Sequence, residues 1–92
     1  MELDLRFFAN YREAVGQKEL SLTVEDGSTV GDVLAHLESS YEGLEGELLE
    51  DDAVRPQLSV LKNGRDVVHM ENVDTGLDDG DRLSVFPPVA GG

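Results

Sequence analysis

Two histidines, one compact acidic run and the final segment are the candidates for chemistry in this 92-residue sequence. It has no cysteine, which excludes a disulfide framework, a thiolate metal site, an iron–sulfur cluster and a cysteine nucleophile. His36 lies off the apolar stripe of a helix described below, and His69 falls in an expected strand. Both are read as solvent-side or satisfied histidines rather than as catalytic groups. Glu50-Asp51-Asp52 has the oxygen chemistry of a cation site, but a run of like charges is ordinarily a solvated loop, so no metal is expected. What remains is the final segment, Pro87-Pro88-Val89-Ala90-Gly91-Gly92. Small side chains can extend into a narrow active-site channel and present a free carboxylate there. The last four residues reach roughly 13 Å when extended, and Gly91 and Gly92 add the dihedral freedom that threading requires. With no thiol available, an acyl bond or a sulfur atom would have to be carried on the Gly92 carboxylate.

Ninety-two residues suffice for one modest core and not for two, so every element must share it. Twenty acidic residues against seven basic ones give a net charge of −13 and a pI near 4.2. Nucleic acid and anionic membranes are therefore not expected partners. The acidic surplus is dispersed along the chain, and Lys18 and Lys62 are the only lysines. This pattern resembles the surfaces of proteins from salt-loving organisms, where counterions relieve self-repulsion; an acidic mesophilic protein is the competing reading. Met1-Glu2-Leu3-Asp4 lacks the features of a signal peptide, and no apolar run approaches membrane-span length, so a cytoplasmic protein is expected.

The elements that must position the final segment follow from periodicity. Leu3, Leu5 and Phe7 alternate with Glu2, Asp4 and Arg6, a half-buried strand over residues 2–8. Leu20, Leu22 and Val24 repeat the pattern over 18–24, so the two segments predict an opening hairpin whose connection passes Gly16-Gln17. Thr29 followed three residues on by Asp32 resembles a capping box. Val30, Val33, Leu34, Leu37 and Tyr41 then form one helical stripe that should pack on the inner face of that hairpin. Residues 42–57 read as an acidic connection containing a short helical turn, closed by Pro56. Asn63-Gly64 between Leu58–Leu61 and Asp66–His69 is the strongest hairpin signal. A turn at Leu77-Asp78-Asp79-Gly80-Asp81 then leads to a last strand with Leu83 and Val85, which Pro87-Pro88 must end. The expected order is β-β-α-β-β-β, with residues 1–87 as the domain and 88–92 as a flexible tail.

One helix across a mixed sheet in this order, an α+β arrangement, is that of the ubiquitin-like β-grasp. Val60-Leu61-Lys62-Asn63-Gly64-Arg65, Leu77-Asp78-Asp79-Gly80-Asp81 and Val85-Phe86-Pro87-Pro88-Val89-Ala90-Gly91-Gly92 closely resemble the small subunit of molybdopterin synthase and, more closely, the small archaeal ubiquitin-like modifier proteins of haloarchaea. The resemblance spans nearly the whole chain and is weakest between Glu42 and Gln57. It implies a group carrier that supplies no acid, base or nucleophile of its own and binds no cofactor. A separate E1-like enzyme would use ATP and magnesium to convert the Gly92 carboxylate into an acyl-adenylate. Gly91 would permit passage of the tail, while Pro87 and Pro88 would stiffen its departure at low entropic cost.

Phe8, Leu61 and Phe86 fall out of phase with the inward residues of their strands, so they are expected on the open sheet face near Arg6 and Arg82, as a docking surface for the activating enzyme or another partner. Three functions stay open. The first is a modifier joined through Gly92 to target-protein lysines. The second is a sulfur carrier with a Gly92 thiocarboxylate, serving tRNA thiolation or pterin-cofactor synthesis beside the molybdopterin synthase large subunit. The third is a non-covalent β-grasp binding module. Self-conjugation, if it occurs, would use Lys62 or Lys18, and Lys62 is preferred for its position beside the Asn63-Gly64 turn.

Overall fold

Strand β1 (Glu2–Phe7) carries Leu3, Leu5 and Phe7 to the interior and leaves the residues between them on the outer face, as a period of two requires. The computed structural model describes residues 1–88. Strand β2 (Glu19–Thr23) pairs antiparallel with β1, with Leu5 opposite Leu20 and Leu3 opposite Leu22. The two are not joined by a plain loop. Helix α1 (Ala9–Val15) fills the connection, ends on Gly16 at φ 88° and buries Tyr11. Gly16 is the left-handed C-cap that glycine adopts without steric cost. The residue before the helix, Phe8, offers no capping side chain, and Ala9 turns the chain at φ 53°.

Helix α2 (Val30–Ser40) starts as its sequence predicts. The Asp32 N–H donates to Thr29 Oγ1 (3.3 Å) and the Thr29 N–H to Asp32 Oδ2 (2.9 Å), closing the capping box. Val30, Val33, Leu34 and Leu37 are buried against the sheet, and Tyr41 lies just beyond the helix, partly buried against the same core. The acidic connection contains the expected helical turn, a 3-10 segment at Glu42–Leu44. It also contains an unexpected hairpin, β3 (Leu49–Glu50) with β4 (Ala53–Val54). The run Glu50-Asp51-Asp52 is its tight turn, with Asp51 and Asp52 at φ 52° and 62°. Aspartate is among the residues that tolerate that conformation best.

Strand β5 (Ser59–Lys62) and β6 (Arg65–Asp66) flank Asn63 and Gly64, at φ 50° and 87°, the hairpin turn read from sequence. The expected strand through His69 stops after two residues. The Asp66 side chain accepts the Val68 N–H (3.0 Å) and starts a 3-10 turn over Val67–His69, so His69 is exposed on that turn and not in a strand. Strand β7 (Arg82–Phe86) completes a sheet of order β2-β1-β7-β5-β6. It runs parallel to β1 and antiparallel to β5, which makes the sheet mixed. The fold is the α+β ubiquitin-like β-grasp, with α2 as its main helix and α1 as a second, shorter one. Among the described residues no helix is long and apolar enough to cross a membrane.

Candidate docking face and tail exit

Because β7 lies between β1 and β5, alternation alone decides what its two faces carry. Leu83 and Val85 point into the core; Ser84 and Phe86 point to the open face and are half-buried. Arg6 pairs across to Ser84, and Ser84 across to Leu61, while Phe86 stands opposite Ser59. Phe8 continues β1 in extended conformation (φ −131°, ψ 152°) one residue past its last pair. Its ring lies flat on Phe86, with centroids 4.1 Å apart and planes 8° from parallel. Phe8, Leu61 and Phe86 therefore share one surface with Arg6 and Arg82. Phe8 reaches it as the residue capping α1, not as part of the strand.

The charges beside these apolar groups are arranged around Asp4, whose place on the outer face is legible from its alternation with Leu3 and Leu5. Arg6 grips it with two hydrogen bonds, Nε to Oδ1 and Nη2 to Oδ2, each 3.1 Å, and Arg82 Nε donates to Oδ2 at 2.9 Å. Arg6 also meets Glu19 at 3.1 Å. The hydrogen bond from Arg6 leads in holding the Asp4 carboxyl below its ordinary value; burial opposes it, and the hydrogen bond and charge of Arg82 add to the lowering. Two guanidiniums and two carboxylates thus form a balanced row next to the aromatic pair.

The two glycine turns are locked together at one end of this face. Asp81, only 8% exposed, accepts from Asn63 Nδ2 (2.9 Å) and from the Asp78 N–H (2.8 Å). Asn63 Oδ1 in turn accepts the Arg82 N–H at 2.9 Å. Burial raises the Asp81 pKa, but these hydrogen bonds and nearby Lys62 outweigh it, so the carboxyl stays below its ordinary range. Asp79 accepts the Glu2 N–H (2.7 Å), and the Gly80 N–H donates to the Glu2 carbonyl (2.8 Å), fixing the start of β1. Segments 60–65 and 77–81 both carry the family resemblance. They touch one another, and their polar side chains brace the face.

Lys62 belongs to that brace. Its Nζ donates to the Gly76 carbonyl (2.9 Å), lies 3.6 Å from Asp81 Oδ2, and its side chain is 16% exposed. The position beside a tight turn therefore does not make it an open amine, and Lys18, which is exposed, is the more accessible of the two. His36 is exposed, and among the described residues no group of three or more potential ligands is placed to hold a metal. Pro87 is half-buried and Pro88 exposed at the exit from β7. Gly91 and Gly92, expected to form the reacting end of the tail, lie outside the described residues.

The model of the ThiS family matches residues 5–92. Small archaeal modifier protein 3 of Haloferax volcanii is 62% identical to this chain over 92 residues, covering all of both. The sulfur carrier protein CysO of Mycobacterium tuberculosis is 31% identical over 80 residues, 84% of this chain and 83% of CysO. Among solved structures, the solution structure of the Haloferax volcanii HVO 2177 protein has a TM-score of 0.94 at 62% identity, covering all of this chain and 87% of that one. CysO in the BexX/CysO complex of Amycolatopsis orientalis superposes with a TM-score of 0.79 at 26% identity, over 98% of this chain and 99% of its own.

Proposed function

This chain belongs to the ThiS family, and from that premise we propose that it is a ubiquitin-like protein modifier, attached through Gly92 to lysines of target proteins. The observation that carries this reading is its 62% identity, over the full length of both chains, to a small archaeal modifier protein. The docking face supports it, since apolar residues and guanidiniums gathered in a protein of net charge −13 give a partner enzyme a distinctive surface.

A carboxylate does not acylate an amine unaided, so a separate E1-like enzyme supplies the leaving group. A Gly92 carboxylate oxygen bonds to the α-phosphorus of ATP, with magnesium, and pyrophosphate departs. A neutral lysine amine then attacks the acyl carbon; the C–N bond forms, AMP leaves and the nitrogen loses a proton. The chain contributes Gly92 as the acyl group, Gly91 for passage, Pro87 and Pro88 for a stiff exit, and Phe8, Leu61, Phe86, Arg6 and Arg82 for docking. Dependence on ATP puts this chemistry in the cytoplasm.

The sulfur carrier CysO among the relatives favours a second reading. There a sulfur nucleophile displaces AMP, and the Gly92 thiocarboxylate passes sulfur to tRNA thiolation or to pterin-cofactor synthesis beside a molybdopterin synthase large subunit. Intact mass of the protein taken from its host separates the readings. Sulfur replacing oxygen raises the carrier's own mass, isopeptide linkage produces larger adducts that survive thiol reductant, and a non-covalent module shows neither. Deleting Gly91-Gly92 should abolish both products and leave the thermal melt unchanged, because the core elements end before the tail. Adducts formed equally by the truncated protein would reject the carrier reading.

A further inference from the structure

We propose that Phe8 is a positioning residue: its ring, stacked on Phe86, sets the direction in which Pro87 and Pro88 leave β7, and so the direction from which the tail is offered for activation. The proposal rests on the activation reading above and adds a residue 78 positions away from the one it orients. The pairing of β1 with β7 ends at Phe7 and Val85. Immediately afterwards Ala9, at φ 53°, turns the chain into α1. Phe86, the last residue of β7, is thus paired through its backbone with Ser59 of β5 on one side only. On the other side the flat contact with Phe8, 4.1 Å between centroids and 8° between planes, takes the place of the missing pair.

The direction held there is transmitted. Pro87 restricts Phe86 to extended conformations, and the two proline rings fix φ at both following residues. A swing of about 10° at Phe86 would displace Pro88, two extended residues further on, by up to roughly 1 Å. Neither ring belongs to the buried core, where Phe7 fills the corresponding space. A half-buried stack contributes less to folding than the fully buried Phe7 ring, and its placement at the exit is what calls for a role. The flat face matters, not apolar bulk alone, since an aromatic pair carries an orientation-dependent attraction beyond the area it buries, which an aliphatic side chain lacks.

The test is steady-state ATP consumption, followed by pyrophosphate release, with the host's purified activating enzyme, magnesium, excess hydroxylamine as the acyl acceptor that displaces AMP, and increasing concentrations of carrier protein. Phe8→Ala and Phe8→Leu should lower kcat roughly tenfold, within the range over which small misplacements act, in addition to any rise in KM from the docking contact that Phe8 shares with Leu61. Phe8→Tyr, which keeps the ring, should restore it. Leu61→Ala, which removes only a docking contact, should raise KM. The result that would overturn the proposal is a Phe8→Ala protein whose KM rises at unchanged kcat, or a Phe8→Leu protein that behaves as wild type. If the wild-type chain drives no pyrophosphate release, the activation reading itself fails. The orienting role is then decided without a partner, by residual dipolar couplings of Pro87 Cα–Hα against those of Ser84 in wild-type and Phe8→Leu proteins. A changed relative orientation supports the stack as the determinant of the exit direction, and an unchanged one rejects it.

Discussion

Asp81 shows how a residue with no catalytic chemistry can hold the candidate docking face in place. It receives Asn63, the Asp78 N–H and the Lys62 ammonium, and so ties the turn before β7 to the turn after β5. In Asp81→Asn the side chain keeps its shape but turns an acceptor into a donor facing donors. A loss of about 1–3 kcal/mol is expected in urea unfolding, the cost of buried polar groups left unpaired. The same change should flatten the acid limb of the stability curve. Because the folded pKa of Asp81 lies below the unfolded value, its contribution is present above about pH 4 and is lost as pH falls through the lowered value. At the core, Leu5 and Leu37 are both fully buried. Truncating either to Ala should cost about 2–5 kcal/mol, and a loss below about 0.5 kcal/mol, typical of surface sites, would contradict that placement. For self-conjugation, peptide mapping of any chains formed should find Gly92 on Lys18, since the Lys62 amine is engaged with the Gly76 carbonyl.

Among the elements, α1 depends most on its neighbours. Seven residues are too few for a helix to stand alone in water, and this one buries Tyr11 while Ala14 lies against the 3-10 turn at Glu42–Leu44. A Cβ added at Gly43 would sit 2.7 Å from the Ala14 Cβ, closer than two carbons can approach. Gly43→Ala should therefore destabilise by about 1–3 kcal/mol as α1 is pushed off its seat. By backbone entropy alone the change would be neutral or favourable. Restoring the space with Ala14→Gly should recover part of the loss in a double-mutant cycle, and strict additivity of the two changes would show that they do not meet.

At the scale of the whole molecule, charge dominates. Arg6, Arg55, Lys62 and Arg82 are held in ion pairs, while most of the twenty acidic side chains have no cationic partner among the described residues. The screening length falls from about 10 Å at 0.1 M salt to about 3 Å at 1 M. Melting temperature at neutral pH should therefore climb from tens of millimolar to molar potassium chloride, most steeply below about 1 M. A flat response would remove the self-repulsion argument and the reading of a salt-adapted surface. At low salt, acidification toward the pI should first stabilise by neutralising unpaired carboxylates. It should then destabilise below about pH 4, where Asp4 and Asp81 begin to lose their native bonds.

Alternation in β1, β2 and β7, the capped stripe of α2 and the Asn63-Gly64 and Asp79-Gly80 turns could all be read directly from the chain. Each depends on residues within one element, where a period or a short spacing is itself the physical constraint. Tertiary structure decided the rest. Periodicity assigns Phe8, Asp4 and Asp81 to no neighbours; the parallel pairing of β1 with β7 brings Phe8 onto Phe86 and Asp4 to Arg82, 78 residues apart. α1 carries no capping signal at its start, leaving the i, i+3, i+4 spacing of Tyr11, Ala14 and Val15 as its only local trace, and the strand expected through His69 yielded to a side-chain cap from Asp66. The fate of the Lys62 amine likewise depended on a carbonyl fourteen residues away. Contacts of this kind arise when distant segments close on a shared core, and no local pattern encodes which groups will then meet.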